Sequence, residues 1–363
     1  DGKYYQTINI AYSKDGVNFD KYDLNPIIDT KDIPSCASIY DFRDPCIFKK
    51  NGKLYIIVGS KSKDEKEAML VLYEGEDIFH FHFLKKLVSS DKFGTMFECP
   101  NLVSFEDNNY MSPQNIKEKD GNFANVSSCV YFKLKGDFIH EEQTIEKVKE
   151  IDHGLEYYAP TVYDDEKILV NWVQMWGRRY YLDEIHNDFI NTFSLFKKIK
   201  EKNGVLSFTP LSLENYVTEK KIEKIKLNGE SQTYHNCHVH YQVKFEKDEE
   251  LCLTLEFFDS KRDKVNFVID CKNNIYQLDR SNVSIPLNGV EDSYAKDGKR
   301  YLKKEIPSNC VIDIYIDNAY VEIYFDNFEE GFSFINFSKE DGFSLKSNKL
   351  VEISLLSENI EVK

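Results

Sequence analysis

The sequence predicts an all-β protein in two parts, a β-propeller followed by a β-sandwich. Three observations carry that reading. The aromatic share is 14%, with 23 Tyr and 26 Phe, a composition suited to the pleated, half-buried surfaces of strands. Pro45, Pro100 and Pro160 each open an apolar run, and they fall 55 and 60 residues apart. Beyond about residue 228 the pattern changes to short alternating segments divided by turns.

At 363 residues the chain has room for two domains, and 41% hydrophobic with 30% charged residues suits a globular protein. The formal net charge of -15 argues against nucleic acid or an anionic membrane as partner, since both need a basic face. Eight cysteines, at 36, 46, 99, 129, 237, 252, 271 and 310, form no C-x-x-C pair and lie in several cases within apolar runs. Such thiols read as buried residues of a reducing, cytoplasmic compartment. No apolar run approaches the ~20 residues a membrane helix needs, and no motif calls for a cofactor.

In chain order, Tyr5 to Ser13 reads as a strand and Lys14-Asp15-Gly16 as a turn. Pro45 is followed by Cys46-Ile47-Phe48, Pro100 by Asn101-Leu102-Val103 and Pro160 by Thr161-Val162-Tyr163. Each proline precedes another strand by eight or nine residues, at Leu54, Asn109 and Ile168. A period of 55 to 60 residues holding four short strands is that of a propeller blade. One large β-sandwich with fortuitous Pro spacing is the competing reading. Pro is tolerated at the first position of a strand and presses the residue before it toward an extended conformation. In a propeller the first strand of each blade lines the channel, so Arg43-Asp44, Glu98-Cys99 and Tyr158-Ala159 should converge on one funnel. Extrapolated backward, the period places an earlier inner strand ahead of Asp1, so the propeller is expected to be incomplete at its N-terminus.

Phe193 to Lys200 and Val205 to Leu211 flank Asn203-Gly204, a hairpin turn. These residues close a propeller region assigned to 1–213. Glu214 to Leu227 reads as a connector, partly helical, with apolar residues at 217, 222 and 225 among charges. The sandwich takes residues 228–363, with strands at His238–Phe245, Leu251–Phe258, Val265–Asp270, Ile275–Asp279, Cys310–Ile316, Ala319–Phe325 and Leu350–Leu356.

Asp44 and Glu98 are the candidate catalytic acids, each just ahead of a proline in successive repeats. Paired carboxylates facing one ligand are how glycosidic bonds are cleaved, one donating a proton while the other attacks or assists. Glu98 follows Met96-Phe97, and an apolar surround favours a protonated carboxyl. Asp44 abuts Arg43, which should favour its ionised form. One difficulty is parity: Asp44 stands one residue before its proline and Glu98 two, so strict alternation sends them to opposite faces unless a bulge intervenes.

Asp41-Phe42-Arg43-Asp44-Pro45 and Phe97-Glu98-Cys99-Pro100 resemble two signature motifs of glycoside hydrolase family 32, the invertases and fructanases. Ser13 to Phe19, Asp152 to Pro160 and Ile168 to Trp172 also resemble segments of that family, as do Leu278 to Ser281 and Val321 to Asp326 in the second part. The resemblance implies a five-bladed propeller plus sandwich that hydrolyses β-fructofuranosides (sucrose, sucrose-6-phosphate or fructan) with retention of configuration. It implies Glu98 as general acid/base and Asp44 as the acid that binds fructose hydroxyls and stabilises the transition state. Arg43, Trp172 and Tyr158 would bind the sugar. The family's nucleophile is an Asp in an upstream "N-D-P-N-G" motif, which the sequence does not contain. The chain by itself is therefore expected to be inactive. Thr161 stands where the family often has Gln, Glu156 where it usually has Asp, and Thr209-Pro210-Leu211-Ser212 where it has "P-R-E-L". The rival functions are a non-catalytic carbohydrate-binding propeller and a five-bladed glycosidase of the arabinan type.

Two further clusters stand out. His235, His238 and His240 have the spacing of a metal site, but no acidic or cysteine residue at ligand spacing joins them. Arg178-Arg179, beside Trp176, suits either a phosphate or a solvated loop, and the loop reading is favoured.

Overall fold

The computed structural model describes residues 4–361 except 117–122, 124, 126, 177, 179, 181–191, 236, 259–263, 285–297 and 338–341. It is all-β, and the helical elements among the described residues are two short 3-10 turns, Thr30–Asp32 and Glu214–Tyr216. The chain divides into two compact units. One holds Asp1–Phe123, Ser127–Glu150 and Ala159–Asp165, the other Ala124–Val126, Ile151–Tyr158 and Glu166–Lys363.

The first unit opens with a small hairpin, β1 (Ala11–Tyr12) with β2 (Asp20–Lys21). The longer strand expected over Tyr5 to Ser13 is not formed. Instead the Asn25 side chain takes both the N–H and the carbonyl of Ile10, replacing a ladder partner. Two antiparallel meanders follow, each with its strands in chain order. The first comprises β3 (Ala37–Lys50), β4 (Lys53–Ser62), β5 (Ala68–Gly75) and β6 (Phe81–Ser90). The second comprises β7 (Glu98–Ser104), β8 (Asn109–Gln114), β9 (Val130–Leu134) and β10 (Lys149–Glu150). Asn51-Gly52 joins β3 to β4 with both φ angles positive, as a two-residue hairpin turn requires.

Alternation along β4 explains how the meanders stack. Tyr55 and Ile57 join a core with Leu102, Met111 and Phe132 of the second meander. Ile56 and Val58 face the other way, against Ile8, Ile28, Ile33 and Phe42. The first meander is thus buried on both faces, which is why its middle strands read as continuous apolar runs and not as alternating ones. Each such buried Ile, Leu or Phe stabilises the fold by roughly 1.5–3 kcal/mol.

The boundary between units falls within β11 (Tyr158–Tyr163). In the second unit, β12 (Ile168–Trp172), β13 (Lys197–Lys202) and β14 (Val205–Pro210) pair consecutively, with Asn203-Gly204 as the expected hairpin turn. Of the residues expected as a partly helical connector, Glu214–Tyr216 form the second 3-10 turn and the rest belong to β15 (Val217–Glu230), paired along its length with the last strand of the chain. Its Lys and Glu residues suit an exposed edge, which charge protects from further pairing. The sandwich continues through β16 (His238–Glu246), β17 (Cys252–Phe258), β18 (Lys264–Asp270), β19 (Ile275–Asp279), β20 (Lys299–Lys303), β21 (Asn309–Asp317), β22 (Tyr320–Phe325), β23 (Glu330–Ile335) and β24 (Phe343–Ile360). β24 pairs with β17 through residues 343–347 and with β16 through residues 353–359, so one strand belongs to both halves. Between them lies a core that includes Leu255, Phe267, Ile314, Ile323 and Leu355.

Candidate active site

Each inner strand is broken at its proline in the same way. The residue before the proline is left-handed: Asp44 at φ 60°, Cys99 at φ 39° and Ala159 at φ 46°. The extended conformation expected there is therefore not adopted. The β3–β4 register slips between Arg43 and Cys46, and the β7–β8 register slips between Glu98 and Asn101. These bulges remove the parity difficulty, because an inserted residue re-aims the side chains on either side of it. A non-glycine residue held left-handed costs about 1–3 kcal/mol, strain of the kind found at functional sites.

Arg43, on the bulge of β3, reaches the bulge of β7. Its Nη2 donates to Glu98 Oε1 at 2.6 Å, across 55 residues of sequence, and its Nη1 donates to Asp41 at 3.0 Å and to Gln6 at 3.2 Å. Asp44 lies 3.9 Å from Arg43 Nε, and its Oδ2 accepts the Cys99 backbone N–H at 3.1 Å. The sequence suggested that Arg43 would favour Asp44 and leave Glu98 in apolar surroundings. In the structure Met96 and Phe97 turn into the core, while Glu98 faces the guanidinium, which also stays within 3.9 Å of Asp44. Burial alone would lower the Arg43 pKa, but Glu98 and then Asp41 hold it above its ordinary value. Burial would likewise raise Asp41, but Arg43 and Lys61, whose Nζ lies 3.0 Å away, hold it below the usual carboxylate range.

Gly59 makes the approach of the two bulges possible. A Cβ there would lie 2.3 Å from the Phe97 carbonyl, so only glycine lets β4 lie against the residue preceding Glu98. The side chains of Arg43, Asp44, Glu98 and Asp41 stay 28, 30, 16 and 18% exposed, enough for a ligand to reach them.

The structure therefore brings Arg43, Asp44 and Glu98 together. Tyr158 and Trp172 belong to the second unit, where their rings meet edge to face at 6.3 Å and Trp172 also touches Trp176. Gln6, Lys61 and Gly59 were not foreseen. Counting back along β4 from the Asn51-Gly52 turn would have placed Lys61 near Asp41, but Gln6 has no local signal.

The other two clusters are occupied by protein. Arg178 is buried, with Nη1 on Glu156 and the Leu155 carbonyl and Nη2 on Asn125, so its donors face no solvent phosphate. Arg179 lies outside the described residues. His240 sits between Glu358 and Asp313 at 2.8 and 2.9 Å, and His238 pairs with Asp317 at 2.8 Å. Their acidic partners come from other strands, which linear spacing could not show.

A model of the glycosyl hydrolases family 32 N-terminal domain matches residues 1–210. The chain belongs to this family. The sucrose-6-phosphate hydrolase of Streptococcus mutans is 26% identical over 322 residues, covering 85% of this chain and 64% of that protein. The sucrose-6-phosphate hydrolase of Vibrio alginolyticus is 26% identical over 293 residues, covering 77% and 56%. That of Bacillus subtilis matches at 27% over 174 residues, covering 45% and 35%. The chain thus spans between about a third and just under two thirds of these family 32 relatives. Among solved structures, a sucrose-6-phosphate hydrolase from Lactobacillus gasseri superposes with a TM-score of 0.83 at 19% identity, covering 98% of this chain and 72% of that one. A Bombyx mori β-fructofuranosidase gives 0.79 at 22% identity, covering 97% and 72%. These family 32 neighbours combine a propeller with a β-sandwich, and at such identities they speak for the fold.

Proposed function

We propose that the protein hydrolyses β-fructofuranosides, of which sucrose, sucrose-6-phosphate and fructan are the candidates, by a retaining double displacement. The observation that carries the proposal is the meeting of Arg43 and Glu98 at 2.6 Å beside Asp44, on two bulges of a family 32 chain. In this reading Glu98 donates a proton to the leaving oxygen and later activates water. Asp44 accepts hydrogen bonds from fructose hydroxyls and offsets positive charge at the anomeric carbon, and Arg43 orients both Glu98 and the sugar. Tyr158 and Trp172 are proposed as sugar-contacting aromatics. A separate carboxylate attacks, and in a retaining site it should lie roughly 5–5.5 Å from Glu98. Residues 1–213 are assigned to the propeller, 214–227 to a connector and 228–363 to the sandwich.

Glu98→Gln in the full gene product tests the assignment. General acid catalysis contributes about 10²–10⁴-fold, so sucrose turnover should fall by that factor; near-normal hydrolysis would overturn the proposal. A substrate panel separates the alternatives. Release of arabinose without fructose would indicate an arabinan-type glycosidase, and binding without release a carbohydrate-binding protein.

A further inference from the structure

Asn101 follows Pro100 and is buried. Its amide makes hydrogen bonds to both sides of a repeat boundary. Nδ2 donates to the Cys99 carbonyl at 3.0 Å and to the Pro160 carbonyl at 2.8 Å, and Oδ1 accepts the Val162 N–H at 3.0 Å. Flipping the amide would set donor against donor and acceptor against acceptor, so the orientation is fixed. The Cys99 carbonyl belongs to the bulge directly after Glu98, and the Pro160 carbonyl follows the left-handed Ala159.

The preceding repeat supplies the comparison. Cys46 follows Pro45 as Asn101 follows Pro100, and a thiol offers one weak donor where the amide offers two strong ones. The amide that donates to both carbonyls stands at the repeat that carries Glu98.

We propose that Asn101 is a positioning residue for Glu98, its amide donors holding the left-handed bulge at Cys99 so that the Glu98 carboxyl is held in place. The inference rests on the reading of Glu98 as proton donor. The amide touches no substrate and acts through the Cys99 carbonyl. Displacing a catalytic group by about 1 Å can cost 10²-fold in rate.

The test uses Asn101→Cys, the residue that follows the proline in the preceding repeat, together with Asn101→Ala; both remove the two amide donors. Both are assayed in the full gene product on sucrose and on 4-nitrophenyl β-fructofuranoside, whose leaving group needs little protonation. For Asn101→Cys, kcat on sucrose should fall about 10–100-fold. kcat/KM on the aryl substrate, which reports only the step that expels the leaving group, should change less than about threefold, because that step then needs little proton donation. An equal fall on both substrates would make Asn101 merely structural, and wild-type kinetics would remove it from the site; either overturns the inference. Glu98→Gln is the parallel control. If it hydrolyses sucrose normally, the proton-donor reading fails. If it is inactive while Asn101→Cys behaves as wild type, only the role of Asn101 fails.

Discussion

Two charged clusters in this protein use the same residue types to opposite ends. Around Arg43, three carboxylates and a guanidinium stand on bulges with their side chains 16–30% exposed. Around Glu156, Arg178 and Arg280 converge on one carboxylate whose side chain is 0% exposed. Glu156 also accepts the Ile335 N–H, so its oxygens are saturated by protein. Burial would raise its pKa, but Arg280 and then Arg178 more than offset that and hold it down. A saturated buried cluster fixes the chain, whereas an exposed one keeps room for a ligand. Charge alone does not mark a site; remaining access does.

The largest effect that would sharpen this contrast is on stability. Glu156→Gln leaves two buried guanidinium groups facing a neutral amide, and breaking a buried pair costs about 3–5 kcal/mol. Urea unfolding of the second unit should register a loss of that size. Glu98→Gln, on a partly exposed group, should lower the unfolding free energy by under about 1 kcal/mol while removing turnover. Equal destabilisation by the two variants would erase the distinction.

A third carboxylate lies between these extremes. Glu330 meets His153 at 2.8 Å and Lys304 at 2.7 Å, with its side chain 11% exposed. Burial would raise its pKa, but His153 and Lys304 pull it down to about 2, from an ordinary 4.5. A carboxyl with a depressed folded pKa contributes stability above its unfolded pKa and loses it as pH falls through the folded one. Between pH ~5 and ~2 the protein should therefore lose on the order of 3 kcal/mol from this group. Glu330→Gln should be less stable at pH 7 and show a shallower acid slope in unfolding measured across that window.

How much of this was legible in the sequence depends on the range of the interaction. The inner strands, the Asn203-Gly204 hairpin and most sandwich strands follow from local alternation and turn chemistry. β15 was misread because its apolar residues at 217, 222 and 225 are sparse among Lys and Glu. Its strand character comes from pairing with residues well over a hundred positions away. The parity mismatch between Asp44 and Glu98 pointed to a bulge, but its left-handed φ was invisible, since side-chain periodicity reports face and not φ. Arg43 keeps Asp44 within 3.9 Å, as adjacency implied, but lies closer to Glu98, at 2.6 Å. Adjacency favoured Asp44, and only the bulges and the bare Gly59 bring Glu98 closer.

The smallest effect lies inside the exposed cluster itself. Lys61 pairs with Asp41 at 3.0 Å, and Asp41 in turn accepts from Arg43. Lys61 therefore acts on Glu98 only through two intermediaries, and its own side chain is 23% exposed. Partly exposed pairs contribute roughly 0–1 kcal/mol, and salt screens them over about 10 Å at 0.1 M. Lys61→Ala should accordingly lower kcat/KM on sucrose by no more than about fivefold, with the deficit shrinking as salt is raised. A loss as deep as that of Glu98→Gln, insensitive to salt, would mean that Lys61 meets the substrate directly. The boundary between the groups that act on sugar and those that hold them would then have to be moved outward.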